Sequence, residues 1–420
     1  MTRKELLSEL KLSTYVALDF ETTGLDPKVD KIIEVAAIRF VDGEPKKRFS
    51  TLVNPKAHIS SFITKITGIS NDMVVSAPKE EEIVDDFLRI IDKYPLVAHN
   101  IRFDWNFLVE LCNRHNKDIP DNPQYDTLQL ARCVLFDHPV FNLGALSEFY
   151  GLDTSGSHRA EKDTENCGNI LLPLLDELSE YSLEEISRII TVLDNYNIPN
   201  KKLFVDLGNA LLKRGDLKGS LREKSFSRTP RNNIYQHEGK NNIQNTTAEE
   251  VFSSGGILSK CYDWYEDRIN QVEYANTCDK IMNAPRTGIL EAGTGLGKSL
   301  AYLFASFKRK YETDQRGPVI IACNTKHLQD QLFFKDLPQL ADALKTSVSA
   351  LIIKGRKNYI CKTRLNWLLG ENNNLTDQDV EAIIPVLFWL EWTKSGDISE
   401  CSGFLNTRKT WLWSMISSDM

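Results

Sequence analysis

Residues 17–24 read ALDFETTG, an apolar run that ends in two acidic residues, two threonines and a glycine. Because successive side chains of a β-strand point to opposite faces, residues two apart share a face. Asp19 and Glu21 would therefore lie side by side in a strand, where their negative charges repel unless a cation lies between them or one group binds a proton. The pair alone is also compatible with an ordinary solvent-facing strand edge.

The surrounding sequence predicts an α/β fold. Strands are expected over residues 15–20, 32–40, 47–53 and 96–99, where β-branched and aromatic runs are separated by Gly, Asp and Pro. Apolar residues recur at helical spacing over 78–94, 103–116, 160–178 and 183–196. Strands followed by strand–helix alternation indicate a sheet with helices on its faces.

Two further segments place acidic residues near predicted helix starts. Residues 99–104 read HNIRFD and put Asp104 in a first helical turn, where a carboxylate also suits the helix dipole as a simple cap. Residues 157–163 read SHRAEKD. His158 and Asp163 can face one site only if His158 lies in the loop before the helix, because five residues of helix would turn the two side chains well apart.

Taken together, the motifs D-F-E-T-T-G, H-N-x-x-F-D and H-x-A-x-x-D resemble those of the DnaQ-like DEDDh exonucleases, over about residues 14–178. The resemblance implies a ribonuclease H-like domain, a mixed sheet flanked by helices, that releases nucleoside monophosphates in the 3′→5′ direction. It assigns two Mg²⁺ or Mn²⁺ ions to Asp19, Glu21, Asp104 and Asp163, and the role of general base to His158. Carboxylate oxygens are the ligands that these hard cations prefer.

A second motif follows in residues 289–299, ILEAGTGLGKS, which predict a strand end, a glycine-rich loop and a helix start. Such loops turn backbone N–H groups toward phosphate oxygens, while the lysine reaches the terminal phosphates and the serine binds Mg²⁺. The sequence therefore predicts binding of ATP with Mg²⁺. The predicted loop residues are Ala292, Gly293, Thr294, Gly295, Leu296, Gly297, Lys298 and Ser299, of which Ser299 would bind the metal.

The flanking sequence resembles DinG-type helicases, which belong to the XPD-like group. The resemblance makes Arg268 and Gln271 the adenine-reading residues, and Thr325 and Gln329, after a predicted strand over 319–324, contacts to the DNA backbone. Residues 355–361, GRKNYIC, resemble a segment whose cysteine binds an iron–sulfur cluster in some relatives. Such a cluster needs several thiolates, and only Cys361 and Cys401 lie in this region, so we expect buried structural cysteines and no cluster.

Parts of a complete motor are missing from the sequence. No D-E-x-H segment follows Ser299, and no second RecA-like domain is found. We therefore expect the front half of a longer protein, which binds ATP, and we do not expect hydrolysis or unwinding by this chain alone. The predicted division is an exonuclease domain at residues 1–180, a helical and disordered linker at 181–247, and a partial P-loop RecA-like α/β domain at 248–420.

Composition excludes other classes of protein. The 420 residues include 58 acidic and 51 basic side chains, a net charge of -7, which argues against coating nucleic acid by bulk charge. No apolar run is long enough to cross a bilayer, no signal peptide is evident, and eight scattered cysteines suit a reducing compartment. We expect a cytoplasmic protein without a membrane partner. The resemblance implies that it binds ATP and single-stranded or 3′-ended DNA in DNA repair or replication, and its protein partners are unknown.

Two alternatives to this interpretation remain open. The first is a proofreading exonuclease of the polymerase III epsilon type with a C-terminal docking region, for which a phosphate loop would have no use. The second is a non-enzymatic, ATP-gated DNA-binding module in which the acidic residues are only structural. Nucleotide binding and nuclease activity distinguish these alternatives.

Overall fold

The computed structural model describes residues 2–155, 159–215, 232–240, 242–312, 317–370 and 374–419. The chain divides into two compact units, one formed by Met1–Pro230 with Arg356–Met420 and the other by Arg231–Gly355. Compact packing therefore groups the chain differently from the predicted division at residues 180 and 247, because residues 356–420 pack with the first unit. The division by sequence motif stays a prediction.

The first unit is built on a mixed five-stranded sheet with the order β3-β2-β1-β4-β5. Strands β1, β2 and β3 are antiparallel neighbours, whereas β4 runs parallel to both β1 and β5. The strands are β1 (Thr14–Thr22), β2 (Ile32–Val41), β3 (Glu44–Leu52), β4 (Leu96–Ala98) and β5 (Gln124–Asp126). The predicted strands and the mixed sheet are confirmed.

Ten helices accompany this sheet in the described residues up to 215. They are α1 (Arg3–Glu9), α2 (Ser61–Thr67), α3 (Asn71–Val74), α4 (Glu80–Ile91), α5 (Ile101–Arg114), α6 (Thr127–Val134), α7 (Leu143–Phe149), α8 (Ala160–Ser179), α9 (Leu183–Leu193) and α10 (Lys201–Arg214). Helix α10 lies within the range predicted as a linker, yet Phe204 is fully buried in the main core of this unit.

Alternate side chains of β1 point to opposite faces of the sheet and join two different hydrophobic cores. Val16, Leu18 and Phe20 join the core that contains Phe87 of α4. Tyr15 and Ala17 join the core on the opposite face, with residues of α8. Because the period of a strand is two, Asp19 and Glu21 belong to the same face as Tyr15 and Ala17. The acidic pair therefore lies on the face that α8 covers.

The second unit is mostly helical. It contains α11 (Ala248–Phe252), α12 (Ile257–Cys261), α13 (Ile269–Met282), α14 (Lys298–Glu312), α15 (Lys326–Gln331) and α16 (Leu337–Leu344), together with an antiparallel pair, β6 (Ile234–His237) and β7 (Val348–Leu351). A π-helical turn over Leu332–Asp336 joins α15 to α16. The core of this unit is formed by α11, α13, α14 and α16.

The strands predicted before the glycine-rich loop and over residues 319–324 are not formed. Residues 287–294 and 317–323 lack regular secondary structure, and Ile289 and Ile320 are 96% and 85% exposed. A parallel strand is stable only between hydrogen-bonded neighbours and under covering helices, which the described residues do not supply there. A RecA-like sheet is thus not seen in the described part of the chain.

Residues 356–419 return to the first unit as four helices, α17 (Lys362–Leu368), α18 (Asp377–Leu390), α19 (Ser402–Leu405) and α20 (Thr410–Ile416). Trp389 is fully buried, and Phe388 packs against Tyr181 with ring centroids 4.8 Å apart. Cys401 is buried as expected, whereas Cys361 is only half-buried. No helix among the described residues has the length and apolar character needed to span a membrane.

Candidate active site

Asp19 and Glu21 lie at the end of β1, and the register of the sheet adds a third acidic residue. Glu21 is paired directly with Glu34 of the antiparallel neighbour β2. Directly opposed residues in an antiparallel pair project from the same face. Asp19, Glu21 and Glu34 therefore share one face of the sheet. Asp19 and Glu21 belong to a predicted sequence motif, whereas Glu34 lies outside every predicted motif.

Asp104 reaches the same end of β1 from the neighbouring helix. The paired residues of β4 extend only as far as Val97, so Phe20 lies beyond the parallel ladder. The backbone N–H of Phe20 instead donates to Oδ1 of Asp104 at 3.0 Å. Since Phe20 stands between Asp19 and Glu21, this bond fixes the buried Asp104 carboxylate beside the acidic pair.

Asp163 is contributed by the first turn of α8, the helix that covers this face. Helix α8 approaches the sheet closely at Gly168, where an added Cβ would lie 2.3 Å from the ring of Phe40. The Tyr15 hydroxyl donates to the Gly168 carbonyl oxygen at 2.9 Å. Glycine at this position thus sets the distance from α8 to the sheet, and with it the depth at which Asp163 enters the site.

The carboxylates are close enough to perturb one another strongly. The pKa of Asp19 is raised well above its ordinary value by burial first, and then by the negative charges of Asp104, Glu21, Asp163 and Glu34. Burial also raises the pKa of Glu21 to about 7, with further contributions from Asp163 and Glu34. The pKa of Asp104 is raised mainly by burial, against the bond from Phe20. Burial and the neighbouring negative charges thus favour the protonated forms of Asp19, Glu21 and Asp104.

The donor set suits divalent cations. Asp19, Glu21, Asp104 and Asp163 offer hard oxygen ligands, and burial followed by neighbouring negative charges raises the pKa of Asp19 and of Glu21. Within the described residues, no three His, Cys, Asp or Glu side chains are arranged so that they could together hold one ion. Mutual repulsion favours separation of such side chains when no cation joins them. The four carboxylates therefore suit divalent cations by the chemistry of their oxygen atoms.

Glu34 also connects the acidic cluster to the start of α8. Its Oε1 accepts a hydrogen bond from Nη2 of Arg159 at 2.8 Å, and Oε2 accepts one from the backbone N–H of Ala160 at 3.1 Å. The Glu34 side chain is only 3% exposed. Its role depends on strand register and on a contact 125 residues away in sequence, which no local motif reveals.

Of the two histidines in the sequence motifs, the structure describes only His99. His158, the predicted general base, lies outside the described residues. His99 is buried, and its Nε2–H donates to the Phe141 carbonyl oxygen at 2.8 Å while Nδ1 lies 3.0 Å from Oγ1 of Thr127. Burial lowers the pKa of His99 to about 4. His99 is thus a neutral structural side chain that fixes the entrance to α5.

The predicted nucleotide loop forms a turn at the start of α14. Gly297 has φ +81°, and a Cβ there would meet the Gln271 side chain at 2.3 Å and Nη1 of Arg268 at 2.9 Å. Gln271 is fully buried; it donates to the Gly297 carbonyl oxygen at 2.9 Å and accepts from the Tyr265 hydroxyl at 2.7 Å. The structure therefore brings Arg268 and Gln271 to the loop, as their predicted shared role requires.

Lys298 donates hydrogen bonds to backbone atoms of its own glycine-rich loop. Nζ of Lys298 donates to the carbonyl oxygens of Ala292 at 2.5 Å and Gly293 at 3.0 Å. Downstream, Thr325 caps α15 by accepting from the N–H of Leu328, and Gln329 donates to the Ile353 carbonyl oxygen. The predicted contacts of Thr325 and Gln329 with DNA stay predictions.

Comparison with known proteins finds similarity to exonucleases over a range that includes the acidic residues. A family model described as Exonuclease (RNase T) matches residues 16–171. The 3′-5′ exonuclease DinG of Bacillus subtilis (strain 168) is 30% identical over 412 residues, which cover 96% of this chain and 43% of that protein. The 3′-5′ exonuclease DinG of Staphylococcus epidermidis is 27% identical over 398 residues, 93% of this chain and 42% of that protein. The chain thus spans less than half the length of these curated relatives.

Among solved structures, similarity is found to exonuclease X in complex with 5′ overhanging duplex DNA, at 25% identity and a TM-score of 0.32, covering 39% of this chain and 91% of that chain. Exonuclease I is similar at 20% identity and a TM-score of 0.37, covering 44% of this chain and 47% of that chain.

Proposed function

We propose that this protein is a metal-dependent 3′→5′ exonuclease acting on DNA, because residues 16–171 match the Exonuclease (RNase T) family model and the chain is similar to part of the DinG exonucleases. The observation that carries the proposal is the group of four acids at the end of β1. Asp19, Glu21 and Asp163 interact electrostatically, and the Phe20 N–H holds Asp104 beside them.

Each acid has a role in this proposal. Asp19, Glu21, Asp104 and Asp163 would hold two Mg²⁺ or Mn²⁺ ions. When bound, such ions supply an activated water and stabilise negative charge on the leaving 3′ oxygen. The chain itself orients these ligands through Phe20 and through the close approach of α8. His158 would accept the proton of the attacking water, a role that suits an imidazole near neutral pH.

The second unit would bind ATP with Mg²⁺. Support comes from the buried Gln271, which joins Tyr265 to the Gly297 carbonyl oxygen, and from Lys298 at the start of α14. On binding, Lys298 would exchange its bonds to Ala292 and Gly293 for bonds to phosphate oxygens. A DinG-type role in DNA repair or replication rests on the resemblance of the flanking segments.

The nuclease assay uses a single-stranded oligonucleotide labelled at its 5′ end, with Mg²⁺ or Mn²⁺ present. We expect a ladder that shortens from the 3′ end and releases nucleoside monophosphates, and we expect no ladder with EDTA or with Asp19→Asn. Asp176→Asn is the control, because Asp176 lies on α8 but pairs with Arg3 away from the cluster. An inactive wild-type chain, or an unimpaired Asp19→Asn variant, would refute the proposal.

Nucleotide binding is tested separately with a fluorescent ATP analogue. We expect Lys298→Ala to abolish binding and Lys310→Ala, an exposed change later on the same helix, to preserve it. Equal binding by both variants would remove the nucleotide loop from the proposal and leave the exonuclease part intact.

A further inference from the structure

One ion pair joins the acidic site to the C-terminal segment of the same unit. Nε of Arg102 donates to Oε2 of Glu381 at 2.8 Å, and Nη2 lies 2.8 Å from the same oxygen. The side chains are 35% and 18% exposed, so the pair is partly shielded from water. Arg102 and Glu381 are 279 positions apart, and Glu381 lies outside residues 16–171, which match the exonuclease family.

We propose that Glu381 is a positioning residue for the exonuclease site, acting through Arg102. This inference rests on the exonuclease function proposed above. Arg102 is the second residue of α5, and Asp104 follows in the same first turn. A displacement of this turn would move the Asp104 carboxylate relative to the Phe20 N–H that holds it.

The start of α5 depends on contacts from outside the helix. Asn100, the residue before the helix, has φ 75° and makes no side-chain capping bond. Its backbone N–H instead donates to Oδ1 of Asp126 at 3.1 Å. Unsatisfied N–H groups at a helix start need such partners. Asp126 and Glu381 together therefore fix the turn that presents Asp104, one through the backbone and the other through Arg102.

The charges around this turn form a connected group. Arg132 interacts with both Asp126 and Glu381, and the pKa of Asp126 is raised to about 6 by burial first and by Glu381 second. Removing the Glu381 charge would take from Arg102 the carboxylate to which it donates, while Arg132 would keep its interaction with Asp126. Arg102 would then no longer be fixed on its C-terminal partner, and the first turn of α5 would lose one of its two outside supports.

Helix α18 is held firmly enough to act as a support. Trp389 is fully buried, and its Nε1–H donates to Oε2 of Glu400 at 3.1 Å. Helix α19, which packs against α18, is joined closely to α6: the N–H of Gly403 donates to the Phe136 carbonyl oxygen at 2.7 Å, and a Cβ on Gly403 would lie 2.1 Å from the carbonyl oxygen of Arg132. Glu381 is thus presented from a packed element, as orientation of another residue requires.

The first unit is assembled from two separate stretches of the chain. Residues 356–419 follow the predicted nucleotide loop in sequence, yet they supply a contact that supports the nuclease site. The chain leaves the first unit, forms the second unit, and returns to the first, so the exonuclease site depends on sequence from both sides of the nucleotide-binding segment.

The test compares Glu381→Gln with Glu391→Gln in the full chain. Glu391 makes a similar ion pair from the same helix region, with Arg188 of α9 at 2.6 Å, but this pair does not contact α5. Melting temperature, kcat, KM for a single-stranded oligonucleotide and the Mn²⁺ concentration for half-maximal activity are measured for each variant. The wild type and Asp19→Asn are assayed in parallel.

We expect Glu381→Gln to lower kcat roughly tenfold with little change in KM. Glu391→Gln should leave kcat within about twofold, since the ion pair that it breaks, with Arg188 of α9, does not support α5. Exchange of the two charges in Arg102→Glu/Glu381→Arg should recover part of the lost kcat and excludes simple unfolding as the cause. Equal kcat in Glu381→Gln and Glu391→Gln, or no recovery by the charge exchange, would overturn the inference. An inactive wild type would instead refute the proposed function.

Discussion

Glu34 lies directly opposite Glu21 in the antiparallel pair of β1 and β2, and the same Glu34 carboxylate accepts hydrogen bonds from Arg159 and from the N–H of Ala160. Two acids directly opposed on adjacent strands repel each other. Here the second acid is compensated by the start of α8. The acidic cluster and the helix that brings Asp163 to it are thus joined by one buried side chain.

Loss of this junction should weaken both the fold and the site. We expect Glu34→Ala to lower the free energy of unfolding by about 1–3 kcal/mol, because the N–H of Ala160 loses its acceptor. Activity should fall as well, since α8 carries Asp163. Urea denaturation and the oligonucleotide assay measure the two effects. Glu165→Gln, which breaks the exposed pair with Arg48, is the control and should change stability by less than about 1 kcal/mol. Equal losses of stability and activity in Glu34→Ala and Glu165→Gln would contradict the role of Glu34 as the link to α8.

The raised pKa of Glu21 gives the metal-free protein a definite pH dependence. A carboxyl whose pKa rises on folding binds more protons in the native state, so its contribution to stability is lost as pH rises from about 5 toward 7. In EDTA, the melting temperature should therefore fall from pH 5.5 to pH 7.5, and less so in Glu21→Gln. Added Mn²⁺ should raise it more at the higher pH. Identical pH profiles of wild type and Glu21→Gln would contradict the raised pKa of Glu21.

Gly168 should tolerate no side chain. In Gly168→Ala the new Cβ would overlap the Phe40 ring at 2.3 Å and push α8 from the sheet. We expect destabilisation by about 1–3 kcal/mol, measured by urea denaturation, and partial rescue by Phe40→Leu. Gly144→Ala is the control, since its nearest neighbour would be Oδ1 of Asn142 at 3.7 Å. A neutral Gly168→Ala change would show that α8 is not held at this distance.

Gln271 should matter for nucleotide binding more than its buried position alone suggests. Gln271→Ala removes the bonds to Tyr265 and to Gly297, whereas Tyr265→Phe removes only the first. We expect Gln271→Ala to weaken binding of a fluorescent ATP analogue by at least about tenfold, because the carbonyl oxygen of Gly297 loses its donor at a partly buried position of the loop. Tyr265→Phe should weaken binding less. Equal losses of affinity in Gln271→Ala and Tyr265→Phe would show that Gln271 acts through the core and not through its bond to Gly297.

Much of the exonuclease part follows from local sequence. The strand alternation around Asp19 and the helical spacing near Asp104 and Asp163 predict the elements correctly, because each pattern is set within about ten residues. Glu34 and Glu381 were missed, because their roles depend on register and on a contact across 279 positions. The predicted strand over 319–324 failed for a related reason, since an apolar run becomes a parallel strand only where neighbours pair with it.

Anomalous scattering at the manganese absorption edge, from crystals soaked with Mn²⁺ and a short oligonucleotide, locates the cations directly. We predict peaks between the carboxylates of Asp19, Glu21, Asp104 and Asp163, and their loss in Asp19→Asn crystals prepared in the same way. Wild-type crystals with manganese bound only elsewhere, or with no peak among these four residues, would contradict the assignment.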